Sequence, residues 1–469
     1  MDTARFFSTL QRYDGLCLID PMSGERTYQQ IIRLAEENAA SLRRLGLAGN
    51  SGQQAVAIDI GLGWRFVPVL LAALLQQVTI VPIDQSSSVR AKQIAEAIKP
   101  ALIFDRSNVD SEGRILLSRI PVLSIRFRSD LEEIALILYT SGTSGRPKGV
   151  MLSYDNIWSN VADIQAYSQF RETDRLLIVR PLTHSSAITG ELLTGLLAGS
   201  SICVKEPGSS PLSSLRLISR LGISVLGATP TLTARLAHFS DRYDMSTLRR
   251  LIASGESPLP VQISRIRKSF PQAELWHAYG LTEASPRVSC LTQSLSEQNY
   301  RCVGRPLRQV SIRIVDRCGH PLPDGTEGEL LVAGPNLMKG YYNDPRATEE
   351  KLIDGWLHTA DRASMVDGLL YIHGRTDHLL VRAGMNIYPQ EIEGLLLSHP
   401  GVKEALVFGT AEGNHGHKIH AWVVADQLIS EKELFAHLAA AADEPRLWPD
   451  VIQIKSQLAK TASGKLIRP

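Results

Sequence analysis

Excess charge of one sign, paired cysteines and long apolar runs are all missing from this 469-residue chain, and each absence removes a class of protein. Fifty basic residues against 48 acidic ones leave a formal charge of +2, so no strong field draws the chain to nucleic acid or to an anionic membrane surface. Neither is expected as a partner. The five cysteines, Cys17, Cys203, Cys290, Cys302 and Cys318, include no C-x-x-C pair, which suits a reducing compartment and argues against a structural zinc. The opening Met-Asp-Thr-Ala-Arg-Phe-Phe lacks the basic-then-apolar order of a secretory signal, so a cytoplasmic location is expected. The longest apolar run, 67–75, contains Pro68 and falls far short of the ~20 residues of a membrane span. It reads as a core helix.

What is present is ample material for a core, since 44% of the residues are hydrophobic. Over the first two-thirds, helical and strand-like segments alternate. Thr27 and Gln30 have the spacing of a capping box, Ile31, Leu34, Ala35, Leu42 and Leu45 keep helical period, and Gly46 stands where a C-terminal cap would. Strands are expected over 55–60, 78–83, 101–104, 176–179, 202–204, 224–226, 251–253 and 274–278, with helices over 66–75 and 89–98 among those between them. The fold class is therefore α/β with largely parallel sheets. From about residue 310 the texture changes to strands and turns (311–315, a Pro323-Asp-Gly325 turn, 329–333). After Gly374-Arg-Thr-Asp-His378, a short α+β set follows over 391–397, 405–408, 419–424 and 431–441. The expected division is a large N-terminal domain, 1–376, with a β subdomain at about 300–372, and a small mobile α+β C-terminal lid, 377–469.

The stretch with the clearest chemistry is Tyr139-Thr-Ser-Gly-Thr-Ser-Gly-Arg-Pro-Lys148-Gly, which follows the apolar run 134–138 and precedes a helix opened by Ser153. Two glycines let the backbone turn tightly and approach an anion, hydroxyls and free N–H groups donate to phosphate oxygens, and Lys148 adds a mobile positive charge. Ser-Gly-Thr-Ser-Gly alone would suit a flexible linker. The strand before it and the lysine after it favour phosphate. No hydroxyl follows Lys148, so this is not the Walker pattern: a nucleotide site is implied without the P-loop fold.

Further stretches fall in a telling order: Tyr279-Gly-Leu-Thr-Glu283, Trp356-Leu-His-Thr-Ala-Asp361, Gly374-Arg-Thr-Asp377, Ala383-Gly-Met-Asn-Ile-Tyr-Pro389 and Lys460-Thr-Ala-Ser-Gly-Lys-Leu-Ile-Arg468. With the loop at 140–149 they make the chain resemble the adenylate-forming (ANL) superfamily, and within it the AMP-binding acyl- and aryl-CoA synthetase-like ligases. The resemblance runs from about Thr27 to Lys465. It implies that Thr140, Ser141, Gly142, Thr143, Ser144, Gly145 and Lys148 hold the β and γ phosphates of ATP. It also implies that Tyr279 offers a face to adenine, Thr282 donates to the α-phosphate, and Glu283 holds Mg²⁺, a hard cation that takes oxygen ligands. Asp361 and Arg375 are assigned to the ribose, and Ser254, Gly255, Glu256, Ala278 and Gly280 to the surrounding wall. Asp377 becomes the hinge, Gly384 admits a pantetheine arm, and Lys465 is the adenylation lysine, placed to hold the attacking carboxylate and the α-phosphate together. The acyl pocket is assigned to His184, Ser185, Ala228, Gly255 and Gly280, with His184 as its gate and a catalytic candidate.

The implied reaction joins ATP and a carboxylic acid into an acyl-adenylate, then transfers the acyl group to a thiol. Coenzyme A is the first choice of acceptor, a carrier protein's phosphopantetheine the second and an amine the third; Arg308 and Arg382 are candidates for meeting either thiol carrier. A non-catalytic nucleotide-binding protein is the alternative of a different class. It would have lost chemical residues, whereas Lys148, Thr282, Glu283, Asp361, Arg375 and Lys465 are all present. Departures from the family pattern are Ala360 for a glycine, which forces the backbone to avoid positive φ or bear strain, and Ala459-Lys460 for Pro-Arg. No aspartate follows His184 to pair with an α-ammonium, so an ordinary α-amino acid is disfavoured. Arg287 either meets a second acidic group or lies at the surface, and the surface is the expectation. His415, His417 and His420 suit alternating strand faces or a turn rather than a metal site, and the resemblance implies a surface turn here.

Overall fold

The computed structural model describes residues 1–48, 54–123, 128–140, 147–206, 210–382, 385–411, 417–426, 429–442, 444–460 and 466–469. Local signals set its elements. The Thr27 hydroxyl accepts from Gln30 N at 3.3 Å while the Gln30 side chain accepts from Thr27 N at 2.8 Å, and this reciprocal cap opens the helix Tyr28–Arg44. Its apolar stripe, Ile31, Ala35, Ala39 and Leu42 among others, is buried, and Gly46 at φ +75° turns the chain away after it. The stripe packs on Phe66–Leu75, a helix apolar nearly all round because almost every side chain is enclosed.

Two sheets organise the N-terminal part. In the nine-stranded one, Ser201–Val204, Arg175–Ile178, Val225–Ala228, Arg250–Ser254 and Glu274–Gly280 lie side by side in parallel. Leu16–Asp20 and Gly24–Thr27 extend it at one edge, and antiparallel Arg287–Leu291 and Arg305–Pro306 at the other. In the six-stranded sheet, Leu102–Phe104, Ala55–Asp59, Thr79–Ile83 and Ile134–Thr140 run parallel, and Lys148–Ser153 and Gly340–Tyr341 close it antiparallel. A third, antiparallel sheet combines Ser311–Val315, Gly328–Ala333, Leu352–Ile353, Trp356–Val366 and Leu369–Arg375.

The C-terminal part has its own core. Val402–Ala411, His417–Ala425 and Val451–Ile454 form a sheet packed by the helices Pro389–Leu397 and Glu431–Ala441, with Ile392, Leu396, Val407, Ile419, Val423 and Leu438 inside. The result is the mixed α/β architecture expected, a large domain of sheets and helices followed by a smaller β-rich one. Every strand expected from the sequence is present within a few residues of its expected bounds. Several elements were not foreseen, among them the strands Lys148–Ser153 and Arg287–Leu291 and a π-type helix over Ser186–Leu193, a form frequent at functional sites. Among the described residues no helix is long and apolar enough to cross a membrane.

Candidate active site

A cavity of about 700 Å³ opens between the two parts, at the carboxyl ends of the parallel strands. One wall is the hairpin made by Ile134–Thr140 and Lys148–Ser153, in which Thr140 and Lys148 stand opposite each other and both line the cavity. The strand pair comes together closely because position 149 is glycine: a Cβ there would meet the Tyr139 ring at 3.0 Å. Ser141, Gly142, Thr143, Ser144 and Gly145, together with Gly384 and Lys465, lie outside the described residues.

The second wall is the end of Glu274–Gly280 and the turn after it, bringing Ala278, Tyr279, Gly280, Thr282 and Glu283 to the cavity. Gly280 is required by space, since a Cβ would fall 2.1 Å from the Pro286 carbonyl oxygen. The Glu283 carboxylate accepts a hydrogen bond from Tyr341 OH at 2.7 Å, and Lys148 Nζ lies 5.1 Å from the Tyr341 ring centroid. Tyr341 therefore joins the phosphate hairpin to the carboxylate. Burial, then the Glu283 charge, raises its phenol far above the ordinary value. Sequence reasoning missed this residue; its one signal was an aromatic pair after a glycine in Gly340-Tyr-Tyr342.

A bulge forms the third wall. In the pairing of Gly328–Ala333 with Trp356–Val366, Leu331 faces His358 but Glu329 faces Arg362, so the second strand carries extra residues there, with Ala360 at φ +62°. The strained alternative foreseen for Ala360 is the one adopted. Asp361, 6% exposed, accepts from Tyr279 OH and has Arg375 Nη1 at 3.6 Å, while its own N–H donates to the Thr359 hydroxyl at 3.0 Å. Burial, reinforced by Asp361, raises the Tyr279 phenol. Arg375 also makes a two-pronged bond to Asp377, 2.8 Å on each prong. Burial opposes the Asp377 charge, but these bonds outweigh it and hold its carboxyl below the usual range. The residues assigned to ribose and hinge thus form one charged chain.

At the acyl end the outcome is mixed. Gly255, at φ +92°, and Glu256 line the cavity, and Glu256 accepts from Thr231 N at 2.8 Å in the first turn of the helix Pro230–Ala237. Ser254, Ala228, His184 and Ser185 are not on the cavity wall. Ser254 sits behind it, its hydroxyl accepting from Arg180 at 2.7 Å, and Arg180 forms a buried ion pair with Glu191 of the π-type helix. Burial, then the charges of Arg180 and Arg90, pushes His184 down to about 4, so it is neutral at pH 7.

Two expectations are corrected. Arg287 is not at the surface but 4% exposed, because its strand is covered on both faces. Arg382 is not free to meet a partner: it pairs with Asp450 and donates to the Trp448 carbonyl at 2.6 Å. Of the two arrangements open to the histidines, His417 and His420 adopt the strand one, in His417–Ala425, where an odd spacing sends them to opposite faces; His415 lies outside the described residues. Arg308 is exposed, 3.8 Å from Asp163.

The C-terminal part supplies the remaining wall, including Glu393, Glu404, Leu466, Ile467 and Arg468. Arg468 donates to Glu393 at 2.6 Å and to the Val407 carbonyl at 2.7 Å, Lys460 pairs with Glu404, and Lys460 and Leu466 face each other. Both flanks of 461–465 are thereby anchored, and the second of them stands at the cavity.

This donor set suits a nucleotide with magnesium. Lys148 and the Thr282 hydroxyl suit phosphate oxygens, and Glu283 is a half-buried carboxylate with one phenol donor and no ion pair among the described residues, a hard oxygen ligand for Mg²⁺.

Comparison with known proteins also points to a nucleotide. The family model described as AMP-binding enzyme matches residues 9–342, and that of the AMP-binding enzyme C-terminal domain matches 391–465. A feruloyl-CoA synthase from an Amycolatopsis species is 30% identical over 459 residues, covering 95% of this chain and 89% of that protein. A 2-succinylbenzoate–CoA ligase from Bacillus licheniformis is 33% identical over 339 residues, 72% of this chain and 70% of its own length. Among solved structures, ATP-bound MatB from Rhodopseudomonas palustris superposes with a TM-score of 0.85 at 25% identity, covering 99% of this chain and 97% of that one. The O-succinylbenzoate coenzyme A synthetase MenE of Bacillus subtilis, in complex with AMP, gives 0.81 at 26%, covering 98% and 96%.

Proposed function

The chain belongs to the AMP-binding enzyme family, and from that premise we propose that it adenylates an acyl or aryl carboxylic acid and passes the acyl group to coenzyme A. It is an AMP-forming acid–thiol ligase. The observation that carries the finer reading is the convergence on one cavity of Thr140 and Lys148, Tyr279, Thr282 and Glu283, and Asp361 with Arg375. These come from separate sheets, and no packing requirement would gather them.

An ionised carboxylate resists nucleophiles, so it must first acquire a leaving group. The acid's oxygen attacks the α-phosphorus of ATP, the bond to the β-phosphate oxygen breaks, and pyrophosphate departs. Asp361 and Arg375 hold the ribose, Thr282 donates to the α-phosphate, and Lys148 steadies the outer phosphates. Lys465 bridges the two reacting anions. Mg²⁺ on Glu283 would supply charge neutralisation at the phosphates. The thiol sulfur then attacks the acyl carbon, and AMP leaves with the bonding pair. Leu466 and Arg468 lining the nucleotide cavity, with Arg382 and Met385 away from it, suits the first of these steps. Rotation about Asp377 would then exchange the 461–465 stretch for the Gly384 loop. The feruloyl and succinylbenzoyl specificities of the relatives favour an acid with an aromatic ring.

ATP–pyrophosphate exchange over a panel of aryl, fatty and amino acids, followed by product formation with coenzyme A, tests this. Lys465→Ala should slow exchange about a hundredfold or more, the scale of losing one transition-state donor, while thiolysis of supplied acyl-adenylate survives. Silence of the folded protein across the whole panel would overturn the reading.

A further inference from the structure

The acyl end holds a guanidinium that pairs with none of the described residues. Arg287 follows the tight turn after the nucleotide strand, and its backbone is clamped on both sides. Its N–H donates to Asn160 Oδ1 at 3.0 Å, and its carbonyl accepts from Asn160 Nδ2 at 2.8 Å and from Asn336 Nδ2 at 3.2 Å. The side chain so positioned is left without a partner. Among the described residues the Arg287 guanidinium makes no hydrogen bond and no ion pair, and its Nε is fully buried.

Its neighbours are differently placed. Arg180 is paired with Glu191, and Arg250 with Glu274 while stacked 3.6 Å over the Trp276 ring. The Glu191 charge reaches both Arg180 and Arg287, and the Glu256 charge also reaches Arg180, but the one ion pair formed here is Arg180–Glu191, and no described carboxylate bonds Arg287. The guanidinium lies against the acyl stretch, where a Cβ on Gly190 would stand 3.3 Å from Arg287 Nη2; the Arg287 backbone, not its side chain, adjoins the cavity-lining Gly280, whose Cβ would stand 3.2 Å from Arg287 Cα. The polar atoms Thr189 Oγ1, Glu191 Oε2, Ser285 Oγ and Ser289 Oγ on the same two segments are also buried without partners.

A guanidinium cannot shed its charge, and leaving it desolvated and unpaired is among the costliest arrangements a protein can hold. An anion from outside the chain would complete it. The carboxylate that reacts is needed at the α-phosphate beside Thr282, so the anion is a different group. We propose that Arg287 is the recognition site for a second carboxylate on the acid substrate, and that the enzyme activates dicarboxylic acids. The planar fork of the guanidinium accepts such a group by two parallel N–H···O bonds, a fit that neither a hydroxyl nor a methyl ester reproduces.

This inference rests on the ligase reading, and the two fail separately. ATP–pyrophosphate exchange is measured with aryl and short-chain diacids, each beside the half-ester in which the distal carboxyl is methylated. Wild-type enzyme should prefer the diacid by at least about a hundredfold in kcat/KM, the scale of a buried charge pair losing one member. Arg287→Met should erase or reverse that preference, and Arg287→Lys should keep part of it. Equal rates for diacid and half-ester in the wild type overturn the proposal even if the variants fail to fold, and so does a preference surviving in folded Arg287→Met. Exchange with monoacids alone removes the second carboxylate but keeps the ligase. Exchange with no acid at all defeats the ligase reading and this inference with it.

Discussion

At the residue scale, what the sequence could not tell was which charged groups are enclosed. Arg287 stands in Pro-Arg-Val-Ser-Cys, whose alternation suits a half-exposed strand, yet all five residues of Arg287–Leu291 are buried. Burial here is decided by elements distant in the chain, which no local pattern encodes. Tyr341 escaped for the same reason: its meaning comes from Glu283, 58 positions away. That contact makes a sharp prediction. A hydrogen bond to a carboxylate contributes about 1.5–3 kcal/mol, so Tyr341→Phe should lower exchange by about tenfold or more. The ring under Lys148 is kept, so the defect should fall on the orientation of Glu283 and deepen as magnesium becomes limiting. Exchange rates titrated with Mg²⁺ check this; wild-type behaviour at low Mg²⁺ would mean that the phenol has no part in holding the metal ligand.

At the element scale, the motifs were readable but their scaffolding was only partly so. The cap at Thr27 and the one at Ser153 are written in single side chains and appear as expected, the Ser153 hydroxyl accepting from Asn156 N at 3.2 Å. The strand Lys148–Ser153 was hidden because a lysine and a glycine open it, and the π-type helix because a run such as Ser-Ser-Ala-Ile-Thr-Gly has no period of its own. The bulge at Ala360 was half legible: an alanine where a glycine is usual announced either avoidance or strain, without saying which. Its φ of +62° says strain, and the strain has a use, since the bulge aims Asp361 at Tyr279 and Arg375. Relieving it with Ala360→Gly should change stability by under about 1 kcal/mol, because the gain is offset by the freedom glycine adds to the unfolded chain. A branched side chain has no such escape. Ala360→Val should lose more than about 1 kcal/mol and raise KM for ATP. Urea unfolding and ATP saturation curves measure the two effects, and a valine variant indistinguishable in both would show that the bulge is incidental.

At the scale of the whole molecule, the order and type of the parts could be read from composition and period, but not the contacts that hold the smaller part against the larger. Among the described residues those contacts include several polar ones. Glu327 accepts from Tyr388 OH and from Arg362 Nε at 2.9 Å, and Arg301 donates to Glu391 at 3.1 Å. Burial of Glu327 opposes its charge, yet the bonds from Tyr388 and Arg362 hold its carboxyl below the usual range. The Tyr388 ring also covers Gly374, where a Cβ would come within 2.6 Å of it, so this tyrosine rests on the first residue of the hinge stretch. The proposed rotation about Asp377 would have to break the Tyr388 hydroxyl bond, which would therefore bias the molecule towards the arrangement with Leu466 and Arg468 at the nucleotide cavity. Tyr388→Phe keeps the ring over Gly374 and removes only that bias. Losing one bond to a carboxylate shifts such a two-state balance by about tenfold or more. Adenylate formation should slow accordingly, while thiolysis of supplied acyl-adenylate should be unchanged or faster. Measuring the two half-reactions separately decides it: a variant that slows both equally would place Tyr388 in the fold's stability rather than in the choice between its two working arrangements.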